Sequence, residues 1–454
     1  MAARFKSVDR EQLMLLPYDL KEWIPENDIV HFVIEAVKAV PLGVFTSNEN
    51  GTGDEQYHPH MMLALLLYCY SHGIFSSRRI ERATWKDVAV RYICGNQHPD
   101  HDTICAFRVG NEKAISEAFL QVLLLAKEMN VLKVGTVSID GTKIKANASI
   151  SKSVRYDRAT QLEAELKLEI AELMDTAAKS ENTPADDGET LGKEIQRLEE
   201  LRSKMTKARE RLEERAKAKA EKEIADYEEK IKRREGRKNR EKGRIIKAPK
   251  DTPEPTDQSN LTDPESRIMR KNSRSNYEQA YNAQAVVDAE ATMLVLGVRV
   301  CNDATDAGQL ALDVETVPHQ LGLAKTVLAD TGYANGTTVQ KLQNRGIEVL
   351  VAMDRQTENR RKRHDFRPVP TKTAIKTPAQ KWRKPWAVSM KEALESKRGR
   401  ELYKLRKQTV EPVFGIIKQA LGFRQFLLRG LGKVNLEWTL VTCAYNLKRL
   451  AALR

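Results

Sequence analysis

The chain has 454 residues and a formal net charge of +13, enough length for two or three domains and a core of ordinary size. Five scattered cysteines (Cys69, Cys94, Cys105, Cys301, Cys443) with no CxxC pair argue against a disulfide scaffold and suit reduced thiols in a cytoplasm. The longest apolar run, Met61 to Tyr70, falls well short of the ~18 residues a membrane span requires, and no signal-peptide apolar segment is visible at the start.

Residues 1–130 read as helical. Apolar residues recur at helical spacing from Ile29 to Val40, and Pro59 opens the apolar helix that ends at Ser71. Ser76 to Thr84, Trp85 to Ile93 and a long helix from an Asp102 cap to Met129 follow. With Arg78, Arg79, Arg82 and Arg91 on them, these short helices suit a helix-turn-helix-like DNA reader, and equally a plain bundle. His98, His101, Cys94 and Cys105 follow no standard zinc spacing, and Asp100 to Thr103 reads as a loop entering a helix. His58 and His60, beside Pro59, read as polar edge residues.

The run Lys133 to Asp140 predicts a buried strand with an acid at its carboxyl end, followed by Gly-Thr-Lys. From Ala159 to Lys242, Glu, Lys, Arg and Ala dominate. Leu162, Leu166, Ile170 and Leu173, then Leu191, Ile195, Leu198, Leu201, Met205, Ala208 and Leu212, step by threes and fours. A helical hairpin is expected there, ending in a basic tail of Lys232, Arg233, Arg234, Arg237, Lys238 and Arg240. The Pro-, Asp- and Ser-rich 249–275 reads as a flexible return.

A strand pair is then expected at Tyr281–Val287 and Met293–Cys301, a helix at Ala307–Leu321, and a strand at Lys325–Ala329 ending in Asp330. A short helix near Gly336–Asn344, the strand Ile347–Ala352 and helices near Glu401–Leu421 and Val434–Leu453 complete the order. Without the insertion this is the element order of an RNase H-like core. The fold class expected is therefore α/β, with an RNase H-like mixed five-stranded sheet flanked by helices, an N-terminal all-helical domain and an inserted coiled-coil-like helical hairpin. The boundaries are 1–130 for the helical domain, 131–150 plus 276–454 for the catalytic domain, and 151–275 for the insertion and its return.

Asp140, Asp330 and Glu411 are the candidate site. Mg²⁺ and Mn²⁺ prefer carboxylate and water oxygens, and two ions about 3.5–4 Å apart can activate an attacking oxygen and stabilise a leaving one at a phosphodiester. An Asp after a strand is more often a turn former, so the case rests on all three converging. Asp303 and Asp306 suit capping ahead of Ala307, with one of them an accessory acid as the sharper alternative. Charge supports the reading: residues 354–454 hold 25 Lys and Arg against 8 Asp and Glu, a local +17 that attracts polyanions such as DNA. Trp382 and Trp386, among Lys381, Arg383 and Lys384, suit base stacking or loop packing.

Asp140-Gly-Thr-Lys-Ile-Lys-Ala-Asn-Ala-Ser149, Ala329-Asp-Thr-Gly-Tyr333 and Val410-Glu-Pro-Val-Phe-Gly-Ile-Ile-Lys418, with Arg429-Gly and Tyr445-Asn-Leu-Lys-Arg449, resemble the bacterial insertion-sequence transposases of the DDE type. Ser77-Arg-Arg-Ile-Glu81 and His98 to Arg108 resemble that family's N-terminal domain. The resemblance implies that Asp140, Asp330 and Glu411 bind two Mg²⁺ or Mn²⁺ ions. It also implies that Tyr403, Arg406, Lys407, Lys418, Lys143, Lys145, Arg78 and Arg79 face DNA. The family signature places three residues between Arg and Glu; here four separate Arg406 from Glu411 and Lys407 holds the regular position, so either base is the DNA contact. The implied activity is recognition of terminal inverted repeats, cleavage at the element ends and joining of the 3′-hydroxyl to target DNA, by a homodimer or higher oligomer in the bacterial cytoplasm at the nucleoid. Rival readings are an RNase H-like nuclease that cuts without joining and a relative that binds DNA without cutting it.

Overall fold

The computed structural model describes residues 19–47, 55–180, 187–235, 248–270, 275–353 and 384–454. Lys381, Trp382 and Arg383, together with Arg237, Lys238 and Arg240, lie outside them.

Six helices open the chain: α1 (Ile29–Lys38), α2 (Pro59–Ser71), α3 (Ser77–Lys86), α4 (Val88–Ile93), α5 (His101–Gly110) and α6 (Glu112–Glu128). Aspartates start three of them by accepting orphan backbone N–H groups: Asp28 for α1, Asp87 for α4 and Asp100 for α5. Helix α2 is buried on every side from Met62 to Ser71, so it forms the centre of the helical layer rather than its surface.

The single long helix expected from Asp102 to Met129 is two helices, broken at Asn111 and capped by Asp100. Asn111 leaves helical geometry (φ −113°, ψ 46°), accepts from the Thr46 N–H at 2.8 Å and donates back to the Phe107 carbonyl at 3.0 Å. Its amide therefore ties the helix break to the loop before α2.

Strand β1 (Thr136–Lys145) leads to β2 (Ser153–Arg155), helix α7 (Tyr156–Ser180), helix α8 (Asp187–Glu235), β3 (Gln258–Asn260) and β4 (Arg267–Met269). The return segment thus contains two strands, where the sequence suggested a flexible link. β3 pairs antiparallel with β2 and closes the base of the α7–α8 hairpin. The hairpin has its own core of Val154, Ala159, Leu166, Ile170, Leu198, Met205 and Ala208. Arg209 of α8 crosses to Glu163 of α7 at 2.8 Å. Leu201, counted on the seam from sequence, stands 38% exposed; the helices meet along Leu198, Met205 and Leu212 instead.

Then come β5 (Glu278–Asp288), β6 (Val295–Cys301), the short α9 (Leu310–Val314), β7 (Thr326–Ala329), α10 (Gly336–Gln343), β8 (Glu348–Val351), α11 (Pro385–Glu395), α12 (Lys397–Gly415) and α13 (Leu431–Leu453). The helix expected over 307–321 shrinks to α9 and a 3-10 turn at His319–Leu321, because Gly308 (φ +88°) and Pro318 interrupt it on either side.

The sheet is mixed and runs β4–β5–β1–β7–β8, with β6 sharing the outer edge of β5 beyond β4. β1 is antiparallel to β5 and parallel to β7, and β7 is parallel to β8. It holds six strands rather than five, β4 being the addition. One hydrophobic cluster joins α1, α2 and α6 to β1, β5, β6, β7, α12 and α13. Helix α13 is the shared piece: Trp438 donates to the Gln284 carbonyl at 2.9 Å, and Asn446 bonds both backbone groups of Val295.

Candidate active site

The ladder between β1 and β7 sets the site. Thr136 pairs with Thr326, Val137 with Val327 and Ser138 with Leu328, so the same register carried on by two residues sets Asp330 beside Asp140. Asp140 is the fifth residue of a ten-residue strand, not its end as the sequence suggested. β5 pairs with β1 from Val137 all the way to Lys145, so β1 continues where β7 stops. The parallel neighbour ends at Ala329, and that leaves open space beside Asp140.

Asp330 also fulfils the turn-forming role, accepting from the Gly332 N–H at 2.7 Å. Glu411 arrives from α12, which buries Val410, Val413, Phe414 and, just beyond it, Ile417 against the sheet. Arg406, on the same helix, links the acids: Nη1 lies 3.4 Å from Asp140 Oδ2 and Nη2 lies 3.1 Å from Glu411 Oε1. The Arg406 side chain is 10% exposed, Asp140 19% and Glu411 50%.

Burial, and next the neighbouring Asp330, push the Asp140 carboxyl up to about 7; Arg406 and the Gly141 N–H oppose the rise. Burial pulls the Arg406 guanidinium down, yet Tyr403, Asp140, Asp330 and Glu411 together hold it above its ordinary value.

A fourth acid stands here. Asp306 accepts from Asn282 Nδ2 at 2.7 Å and Gln284 Nε2 at 2.8 Å, and its charge adds to the rise at Asp140. The accessory-acid alternative for Asp306 thus has a geometric basis. Gly141 makes room for it: a Cβ there would lie 2.4 Å from Gln284 Nε2 and 2.6 Å from Asp306 Oδ1. Sequence reading gave no site role to Asn282 or Gln284, nor to Tyr333 beyond its motif, though the Tyr333 hydroxyl donates to Gln284. Their signal was present in β5, where two wholly buried amides sit among Ala and Val.

The expected DNA-facing residues divide. Arg406 turns inward to the acids, and Lys407 is exposed on a groove shared with Arg400, Tyr403, Lys404 and Met353. The Tyr403 hydroxyl donates to the Ala329 carbonyl at 3.2 Å, one residue before Asp330. Lys418 donates to Thr142 Oγ1 and, at 2.8 Å, to the Lys143 carbonyl, so it anchors β1 just past Asp140. Lys143 is half-buried, and that burial lowers its ammonium below the ordinary range against the pull of Asp306. Lys145 is exposed and pairs with Glu278 at 2.6 Å. Arg78 and Arg79 are exposed on α3, in the N-terminal helices.

His98 and His101 have other partners than a metal: His98 stacks on Trp85, and His101 pairs with Glu81 at 2.9 Å. Among the described residues, no group of three or more His, Cys, Asp or Glu side chains is placed to hold a metal ion. At Asp140 and Glu411 the reason is visible, since the Arg406 guanidinium occupies the gap between them. The donor chemistry nonetheless suits a hard divalent cation. Asp140, Asp330 and Asp306 are like charges sharing a half-buried space, and Asn282 Oδ1 beside them is buried without a hydrogen-bond partner.

Two family models match the chain. The model described as Transposase DDE domain covers residues 243–447, which include Asp330, Glu411 and the β5–β8 part of the sheet. The model described as Transposase domain (DUF772) covers residues 18–110, the helices α1 to α5. No curated protein and no solved structure matches it.

Proposed function

The chain belongs to the DDE transposases of insertion sequences, and from that premise we propose that it cleaves DNA at the terminal inverted repeats of its element and joins the freed 3′-hydroxyl to target DNA. The observation that carries this is the meeting of Asp140 and Asp330 on adjacent parallel strands, with Glu411 tied to Asp140 through Arg406. The order β6–β5–β1–β7–β8, with three antiparallel strands followed by two parallel ones, supports an RNase H-like core.

Asp140, Asp330 and Glu411 are the residues that would hold two Mg²⁺ or Mn²⁺ ions, with Asp306 beside them. When bound, such ions activate the attacking water or 3′-hydroxyl and stabilise the leaving oxygen of an in-line displacement. The protein's own part is positioning. The β1–β7 ladder fixes the two aspartates, Tyr403 and Lys418 lock α12 onto β7 and β1, and Arg406 supplies positive charge between acids that would otherwise repel. Lys407, Lys404 and Arg400 on the adjoining groove, with Lys143 and Lys145 on β1, would take phosphates near the cut. Residues 1–130 would read the element ends, 131–150 with 276–454 would perform the chemistry, and 151–275 would supply the hairpin. Two ends must meet, so the working form is a homodimer or larger. A protein that stays monomeric in light scattering with and without end DNA argues against this.

The test is incubation with duplexes carrying the element's flanking ends and Mg²⁺, comparing the native protein with Asp330→Ala. Cutting and joining that vanish with the substitution are expected. If both survive, the carboxylate site is excluded; cutting without joining favours a nuclease, and binding alone favours a non-catalytic relative.

A further inference from the structure

Helix α3 carries arginines that no acid among the described residues pairs with. Its sequence Ser-Arg-Arg-Ile-Glu-Arg-Ala-Thr-Trp-Lys buries Ile80, Ala83 and Thr84 against α2, α4 and α5. Helical geometry then gathers Arg78, Arg82, Trp85 and Lys86 on one outward arc, with Arg79 at its edge. All five are exposed. The helix's one acid, Glu81, is engaged by His101 of α5 at 2.9 Å, and among the described residues none of the three arginines has an ion-pair partner.

Trp85 is 62% exposed, yet its indole is fixed. His98 lies flat against it, with ring centroids 3.4 Å apart and planes 11° from parallel. His98 is fixed in turn, because its Nδ1 sits 3.2 Å from Thr84 Oγ1, whose proton goes to the Glu81 carbonyl at 2.7 Å. One indole face is therefore covered and held, and the rest of the ring remains open to solvent among arginines. A rigid aromatic surface ringed by cations is what a flat, anionic polymer of stacked rings recognises.

The surface also adjoins the proposed catalytic side. The turn before α3 packs onto the loop after α12: Phe75 meets Phe423 edge to face at 5.1 Å, and Gly73 approaches so closely that a Cβ would lie 2.5 Å from the Leu421 carbonyl. The same loop pairs with Lys145 of β1.

We propose that Trp85 on its His98 support stacks on an unpaired DNA base, with Arg78, Arg82 and Lys86 holding the flanking phosphates. This rests on the reading of the chain as a DNA-end-processing protein and adds to it a single-strand contact outside the carboxylate site. The full-length protein is titrated by fluorescence anisotropy with a labelled end duplex that is blunt, one with a short single-stranded overhang, and one whose overhang is abasic. The native protein is expected to prefer the normal overhang over the other two by about tenfold. Trp85→Ala loses that preference and keeps blunt-duplex binding, and Trp85→Phe keeps most of it. Arg82→Ala weakens all three duplexes and flattens the salt dependence. Equal binding of the overhang by the native protein and Trp85→Ala, or equal binding of normal and abasic overhangs, overturns the proposal and leaves the transposase reading intact. No binding of any duplex by the native protein overturns both. A change in oligomeric mass for Trp85→Ala, with unchanged DNA affinities, makes this a protein contact and also overturns it.

Discussion

Asp140 illustrates how one carboxyl group couples fold and chemistry. Burial, and next the neighbouring Asp330, raise it from the ordinary 3.8 to about 7. Between those values the folded protein retains a proton that the unfolded chain has released, so this group favours the fold at the acid end and loses that contribution as pH climbs toward 7. Asp313, which burial pushes up to about 6, acts in the same sense. Asp140→Asn should therefore be more stable than the native protein in urea at pH 8, with the gap narrowing steadily on acidification and closing only below the ordinary 3.8. Divalent-ion binding needs the ionised form, so affinity measured by calorimetry should rise with pH up to about 7 and then level off, with proton release below that point. Asp140→Asn, Asp330→Asn and Glu411→Gln should each lower end cleavage by on the order of 10³-fold in a gel assay while DNA affinity changes little.

Elements place those residues, and their contacts give separate expectations. Gly141 lies where β1 crosses the Asn282, Gln284 and Asp306 cluster, and Gly141→Ala would press a methyl group into a polar atom of each. A loss of about 1–3 kcal/mol is expected from overpacking, seen as a lower thermal midpoint, with cleavage impaired because Asp306 is displaced. The α7–α8 hairpin behaves differently, since its core is its own and the β2–β3 pair closes its base. Met205→Asp should melt helical signal in circular dichroism and leave the main unfolding transition within about 0.5 kcal/mol, because the altered side chain is remote from the main core. Helix α12 contains Pro412 directly after Glu411, followed by a π-helical turn at Ile416–Ala420. Lys418 lies within that turn and bonds Thr142 and the Lys143 carbonyl of β1.

At the scale of the molecule, the N-terminal helices are not an independent unit. Helix α13 lies between α2, α6 and β6, buried through most of its length from Val434 to Leu450, and its Glu437 accepts from the Leu427 and Leu428 N–H groups. A fragment beginning at residue 131 would expose that face, so it should show no cooperative melt, whereas the full chain should. Lys448 reaching the Ser71 carbonyl at 2.9 Å marks the same union. Binding to DNA by a chain with this concentration of lysine and arginine should weaken steeply with salt, since each phosphate neutralised releases counterions.

Local chemistry was legible in the order of residues. The three acids, the helical hairpin, the strand order and the arginines of α3 follow from periodicity and residue type, because those depend on neighbours within a few positions. The break at Asn111 and the shortened helix at Leu310–Val314 depend on one side chain or one glycine meeting its surroundings, and pattern alone passed over them. Amino-acid order determined which carboxylates were available and on which kinds of element they sit. Only the tertiary structure decided that Arg406 points inward between two of them, that Asp306 joins them through Asn282 and Gln284, and that six helices share the sheet's core. The physical reason is that burial, charge pairing and packing are settled between residues hundreds of positions apart, where no local spacing records them.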